Sequence, residues 1–317
     1  MNKLLDATAS LAARLDGRML LQYVESCPST SDLVKEQFAV RGLTEPLLVC
    51  TDAQPEGRGT RGRSWSMQPG QDIAFSLGLP LTSGLEPSPR LPLALSVLLG
   101  QSISNLVREQ WRAARLYQQE DDPGGDEQAT TGERVTRAIN EARDSLASRI
   151  CAVKWPNDLL MARRGLDGEL QYRKCGGILT EHLPGLLVIG IGLNVNSTAA
   201  DFAAELAARL TTVRDCCGIQ LDREALFSGI VMRLYGKMVF NGILQGYSAA
   251  DDSAIRELEP DWRELDRSAG QRWLLNREGK TIPVTATHVD FASGHLYVQD
   301  EAGNQYEIES YSELESQ

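Results

Sequence analysis

Histidine is scarce: three residues among 317, and His182, His288 and His295 stand too far apart to point to a shared metal, which argues against a zinc enzyme. Cysteine is present without a pattern. Cys27, Cys50, Cys151 and Cys175 are scattered, Cys216 and Cys217 are adjacent, and no C-x-x-C pair occurs. That spacing suits neither a zinc knuckle nor a disulfide framework, and it indicates reduced thiols in a cytosolic-type protein. Basic charge is also short, with 32 Lys and Arg against 43 Asp and Glu and a net charge of −11. Non-specific nucleic-acid affinity comes from Lys and Arg on phosphates, so the balance argues against a general nucleic-acid binder. No apolar run reaches membrane-spanning length. The N-terminal MNKLLDATASLAARLDGRML has no secretory hydrophobic region, and Asp6 and Asp16 speak against a transit peptide. The expectation is a cytoplasmic protein that partners neither membrane nor nucleic acid.

What is there is ordinary for a globular chain, 42% hydrophobic and 24% charged, with length enough for a full core and a second, smaller unit. Helical apolar spacing at 3–15 and 31–40 flanks a strand at 19–25, and Ser29 or Thr30 is placed to cap the second helix. Strands are expected at 46–51 and 72–79, and a long apolar helix at 91–108. Residues 120–133, EDDPGGDEQATTGE, hold six acids and no base, so about 115–149 reads as a solvated acidic insertion. Strands return at 151–154, 175–180 and 186–193, and helices at 201–210, 222–242 and near 253–266. From about 270, short strands between glycine turns mark a small all-β unit. Residues 1–266 are thus expected to form one domain and 267–317 another.

Four stretches carry chemistry. GRGTRGRSW, residues 57–65, misses a phosphate-binding loop by one residue, with Arg63 where G-x-x-x-x-G-K-[ST] has lysine. Such a loop must open a helix, whereas Ser64 leads through Pro69-Gly70 into a strand. A guanidinium is also too bulky a fork for that lysine's place. What remains is a glycine loop with Arg58, Arg61 and Arg63, able to approach a ligand closely and to bond carboxylate or phosphate, although an exposed turn has the same look. KWPND, Lys154 to Asp158, comes after the strand ICAV and projects one cation towards a cleft. Asn157 and Asp158 can hold that turn, a sugar hydroxyl or a metal, and a plain strand-to-strand turn is the alternative. KCGGILTEH (174–182) and GIGLNVN (190–196) set paired glycines in apolar strands, where backbone can approach a flat ligand. Asn194 must find a polar partner if buried.

In this order the four stretches resemble the biotin–protein ligases, or holocarboxylase synthetases, over roughly residues 19–317. The resemblance implies an α+β fold, with a mixed β-sheet catalytic domain of the biotin/lipoate ligase type, akin to class II aminoacyl-tRNA synthetases, with helices on one side. A small SH3-like β-barrel completes the C-terminal part. It implies an ATP-dependent ligase that converts biotin and ATP to biotinyl-adenylate and pyrophosphate. The biotinyl group then passes to a lysine of a biotin carboxyl carrier domain, that of acetyl-CoA carboxylase being expected. Two anions must meet in the first step, which calls for preorganised positive charge and Mg²⁺. By the same resemblance Ser29, Thr30 and Gln54 bond biotin's ureido ring, Ser31 belongs to the biotin site, and Arg58, Gly59 and Thr60 fold over biotin and the adenylate. Lys154 meets the carboxylate and α-phosphate, with Arg58 as the second catalytic group. Arg61, Arg63, Trp65, Asn157, Gly177 and Asn194 lie around the adenylate, and Asp158 is the candidate metal ligand.

The chain departs from the family pattern at Ser31, where S-T-N has Asn, and at Thr60, where Arg is common. The acidic insertion is another departure, and the helix-turn-helix of the repressor members is not expected. A lipoate–protein ligase shares the fold and chemistry, but its arginine–glycine motif with a following His-Asp is missing. A non-catalytic biotin sensor is the alternative from another class, opposed by Lys154 and the loop arginines.

Overall fold

Two strand sequences set the architecture. IAFSLGLP alternates bulky residues with Ala74, Ser76 and Gly78, and LLVIGIGL places Gly190 and Gly192 on one of its faces. A strand turns successive side chains to opposite faces, so each carries one wholly bulky face, while the other is lined by small residues in the first strand and, beyond Leu186 and Val188, by glycine in the second. In the computed structural model, which describes residues 3–82, 85–119, 150–164, 170–239, 246–277 and 279–316, the two pair at the centre of a seven-stranded sheet. The acidic stretch 120–149 lies outside these residues, and 115–119 form the end of a helix.

The sheet strands are β1 (Leu20–Ser26), β2 (Leu47–Ala53), β3 (Ile73–Pro80), β4 (Cys151–Lys154), β5 (Asp158–Arg164), β6 (Leu170–Leu183) and β7 (Leu186–Leu193). Their order is β1-β2-β3-β7-β6-β5-β4; β1 and β2 run parallel and all other neighbours antiparallel. The helices are α1 (Lys3–Leu15), α2 (Thr30–Arg41), α3 (Leu91–Gln119), α4 (Ala204–Ala207), α5 (Val213–Cys217), α6 (Arg223–Leu234), α7 (Ser253–Arg256) and α8 (Glu259–Leu265). The helix expected over 201–210 shrinks to the four residues of α4. Strand β5 is an addition to the elements expected from the sequence, because Asp158 reads as a turn residue and not as one pairing in a ladder with Lys154.

The bulky face carries the main core. Phe75 meets Phe227 of α6 edge-on at 5.5 Å, and Leu95 and Leu99 of α3 are wholly buried against this face. Each such side chain contributes about 1.5–3 kcal/mol on burial. By length and composition the Leu91–Gln110 part of α3 could cross a membrane, yet most of it is buried inside the fold, as befits a core helix. The other face is not bare. There α2 covers one end, with Val34 packed against Leu47, Val49 and Val188. It can approach because Gly78 has no side chain; a Cβ there would meet Val34 and Phe38 at 2.6 Å.

The strands β8 (Arg272–Arg277), β9 (Lys280–Asp290), β10 (His295–Asp300), β11 (Gln305–Ile308) and β12 (Leu314–Ser316) form a second, antiparallel sheet in the order β11-β10-β9-β8-β12, the small barrel. Trp155 joins it to the large sheet. Its indole donates to the Gly294 carbonyl at 2.9 Å, and its ring meets Tyr311 at 5.7 Å. The apolar interior runs unbroken through both sheets. All six cysteines are free, and burial pushes the Cys151 thiol up to about 12 and that of Cys50 to about 11.

Candidate active site

The bare faces of β3 and β7, continued by β6, leave a trough. Register puts Ser76, Gly190 and Leu179 in one row, and Ala74, Gly192 and Gly177 in the next. The resulting cleft is open to solvent, with about 490 Å³ of space free of protein atoms, solvent at its mouth included. Its polar end comes from the start of α2. Ser29 occupies the N-cap position, but its side chain makes no capping bond and lines the cleft instead. Thr30 donates its backbone N–H (2.8 Å) and hydroxyl (3.0 Å) to Oε1 of Gln54. The Ser76 hydroxyl lies 2.8 Å from that of Thr30 and 2.9 Å from that of Ser31. One amide and three hydroxyls thus form a continuous, uncharged floor, with Ser29 beside it.

The glycine–arginine stretch folds back as a hairpin over this trough. Gly59 donates to the Arg63 carbonyl at 2.8 Å, Trp65 to Gly57 at 2.7 Å, and Thr60–Gly62 make the turn. Gly57 is required by close approach, since a Cβ there would meet the Trp65 carbonyl at 2.7 Å. A Cβ on Gly192 would meet Cε2 of the Trp65 ring at 2.4 Å, so the absence of a side chain lets that indole approach the sheet closely. Arg58, Gly59, Thr60 and Trp65 all line the cleft.

The mouth is ionic. Arg58 Nη2 is 2.5 Å from Asp32 Oδ1 and 3.7 Å from Glu181 Oε2, and Lys35 Nζ joins both acids at 2.9 and 3.0 Å. Lys174 lines the opposite lip with Asn157 and Gly177. Its ammonium is tied to Asp158 Oδ1, while Lys154 holds Oδ2 at 2.9 Å. Burial alone would raise the Asp158 carboxyl, but the Lys174 and Lys154 ammoniums overcome that and hold it below its ordinary value. Asn157 donates its side-chain N–H to the Ile178 carbonyl, fixing the turn.

Of the residues singled out from the sequence, Ser29, Thr30, Ser31, Gln54, Arg58, Gly59, Thr60, Trp65, Asn157 and Gly177 come together around one cleft. Lys154 does not join them. It pairs with Asp158 behind the lip, and the lysine that reaches the cleft is Lys174. Arg63 points away, its guanidinium 5.9 Å above the Tyr311 ring of the barrel. The Arg61 side chain lies outside the described residues. Asn194 is buried and finds its partner in Asp72 at 3.0 Å rather than in the cleft. Asp158 does not fit a metal, since both its oxygens are taken by ammonium groups. No cluster of three metal-ligating side chains exists among the described residues. Sequence reasoning missed Ser76 and Lys174. A lone hydroxyl on the small face of IAFSLGLP, and a second lysine heading the Cys-Gly-Gly run, were the available signals.

The mixed sheet thus carries a cleft with a neutral, hydroxyl-lined floor and a mouth where Arg58 and Lys174 are paired with acids. The model of the biotin/lipoate A/B protein ligase family matches residues 23–196, more than half of the chain, and the chain belongs to that family. The bifunctional ligase/repressor BirA of Bacillus spizizenii is 26% identical over 209 residues, 64% of this chain and 49% of that protein. The chain therefore spans about half the length of that relative. The structure of a biotin protein ligase from Aquifex aeolicus in complex with biotin and ATP superposes with a TM-score of 0.59 at 21% identity, over 93% of this chain and 97% of that one. That from Leishmania major in complex with biotin gives 0.53 at 19%, over 91% and 97%. These two are likenesses of fold.

Proposed function

We propose that the chain is a biotin–protein ligase. The observation that carries this reading is the juxtaposition, in one cleft, of the Gln54–Thr30–Ser76–Ser31 floor with Arg58 and Lys174 at the mouth. A ureido ring offers two N–H donors and one carbonyl, which suit a floor that can both accept and donate. Biotin's carboxylate then lies towards Lys174 and Arg58, where the α-phosphate of ATP must also arrive. The carboxylate oxygen attacks the α-phosphorus, pyrophosphate leaves, and the two cations stabilise the charge that builds up there. Asp158 keeps the Lys174 ammonium in place, and Lys154 holds Asp158. In the second step the amine of a carrier-domain lysine attacks the acyl carbon of the anhydride, an amide forms and AMP leaves. Thr60, Arg58 and Trp65 cover the anhydride and exclude water meanwhile. Mg²⁺ enters as the companion of the nucleotide's phosphates, and no step is assigned to a protein-held ion.

A lipoyl group suits the floor less well, because an apolar dithiolane would leave the hydroxyl chain facing unpaired atoms. The test is incubation with biotin, ATP, Mg²⁺ and a purified biotin carboxyl carrier domain, with mass measurement on its lysine and biotin-dependent ATP–pyrophosphate exchange alongside. Modification and exchange are expected. Binding of biotin without exchange would make the chain a sensor and overturn the proposal.

A further inference from the structure

We infer that Asp72 is a positioning residue of the cleft, a buried carboxylate that fixes Trp65 over Gly192; the inference rests on the reading of the cleft as the ligand site. Trp65 forms one wall of the cleft, yet its indole N–H is buried and meets no acceptor. The ring is therefore not placed by a bond of its own. It is placed by its backbone and by residues 66–71 behind it, which form neither helix nor strand.

That segment is tied down at its far end by Asp72, which is fully buried. Oδ2 accepts from Gln68 N at 2.9 Å and from Asn194 Nδ2 at 3.0 Å, and the same Asn194 amide reaches the Ser66 carbonyl at 3.3 Å. Oδ1 accepts from Val195 N at 2.8 Å and the Ser197 hydroxyl at 2.6 Å. One oxygen thus holds the Trp65 segment and the other holds the chain leaving β7, the strand that carries Gly192. Ring and glycine are brought into register by a single acceptor-only group. Asn194, the polar residue of GIGLNVN, serves as the relay.

The test is Asp72→Asn, which keeps the shape but replaces one acceptor by an NH₂ donor. Whichever way the amide turns, an N–H faces either Gln68 and Asn194 or Val195 and Ser197. Trp65 emission is read as the spectrum lost on Trp65→Ala, in both the natural and the Asp72→Asn protein, without ligand. Biotin affinity is measured by calorimetry in the same four proteins. Asp72→Asn is expected to shift the Trp65 emission and to weaken biotin about tenfold, but to change affinity less than about twofold once Trp65 is Ala, as for two residues acting through one contact. Unshifted emission, or an equal loss in both backgrounds, overturns the inference. If Asp72→Asn does not fold, Asn194→Ala, which removes the relay and leaves the carboxylate, is judged by the same two readings. If the natural protein does not bind biotin, the ligand reading fails and the emission arm alone decides the role of Asp72.

Discussion

The two ends of the cleft are made of opposite materials. Ser29, Thr30, Ser31 and Ser76 at the floor are at most 5% exposed and uncharged, and the hydroxyls of the last three are already paired with one another. The side chains of Arg58 and Lys174 at the mouth are 40% and 42% exposed and are engaged in ion pairs. A buried neutral floor reads position, since a ligand group that misses leaves a partner unpaired at about 1–3 kcal/mol. Exposed charges read position poorly and fade with salt, but they respond to whatever negative charge develops in front of them. Under the proposed function, the difference makes recognition and activation separable in this cleft, and each is expected to break without the other.

The largest effect is expected from the mouth. Lys174→Ala should lower pyrophosphate exchange about a hundredfold or more, the cost of one preorganised electrostatic contact, while leaving biotin binding within a few-fold. Lys154→Ala should cost distinctly less, because Lys154 is paired with Asp158 and does not line the cleft; equal losses in steady-state assays would erase that distinction. Next comes the floor. A Cβ on Gly190 would meet the Ser31 hydroxyl at 2.8 Å, so Gly190→Ala should displace it and weaken biotin about tenfold by calorimetry, with near-normal exchange at saturating biotin. A fall in exchange rate at saturation would show that the two ends are coupled.

An acid titration sharpens the comparison further. Because the Asp158 carboxyl is held below the ordinary 3.8, its contribution to stability is complete above that value and is lost as pH falls through the lower, folded value. The stability gap between the natural protein and Asp158→Asn should therefore close only in strong acid; a gap closing near neutrality would contradict the two-lysine clamp. The smallest effect belongs to Asp32→Asn. Its pair with Arg58 is a third to a half or more exposed, so freeing Arg58 should change affinity no more than about threefold, with faster tryptic cleavage after Arg58 in the ligand-free protein. Unchanged cleavage would mean that the hairpin does not depend on that pair.

Much of the floor was legible because strand alternation is local. The small residues of IAFSLGLP and LLVIGIGL mark one face, and the Ser-Thr-Ser at the head of a helix marks its neighbour. The mouth was less so. Whether Lys154 or Lys174 reaches the cleft depends on β5, whose pairing with β6 shifts register between Leu159 and Leu160. A one-residue shift moves a side chain to the other face, and no motif reports it. Likewise Asn194 announced its need for a partner, but only the fold brings Asp72 to it. The P-loop likeness failed because no helix begins after Ser64, and the structure has a hairpin and a strand there instead.

Trp155 sits in a turn whose next residue but one, Asn157, lines the cleft, while its own ring is clasped by the barrel. Among the described residues apolar packing is continuous through both sheets, so the two are expected to melt together. Heating should then give one endotherm whose van't Hoff and calorimetric enthalpies agree. Anything that binds only the folded cleft lowers, by mass action, the population of every form in which the cleft is lost. Amide protons in β10, whose residues do not line the cleft, should accordingly exchange more slowly once the cleft is filled.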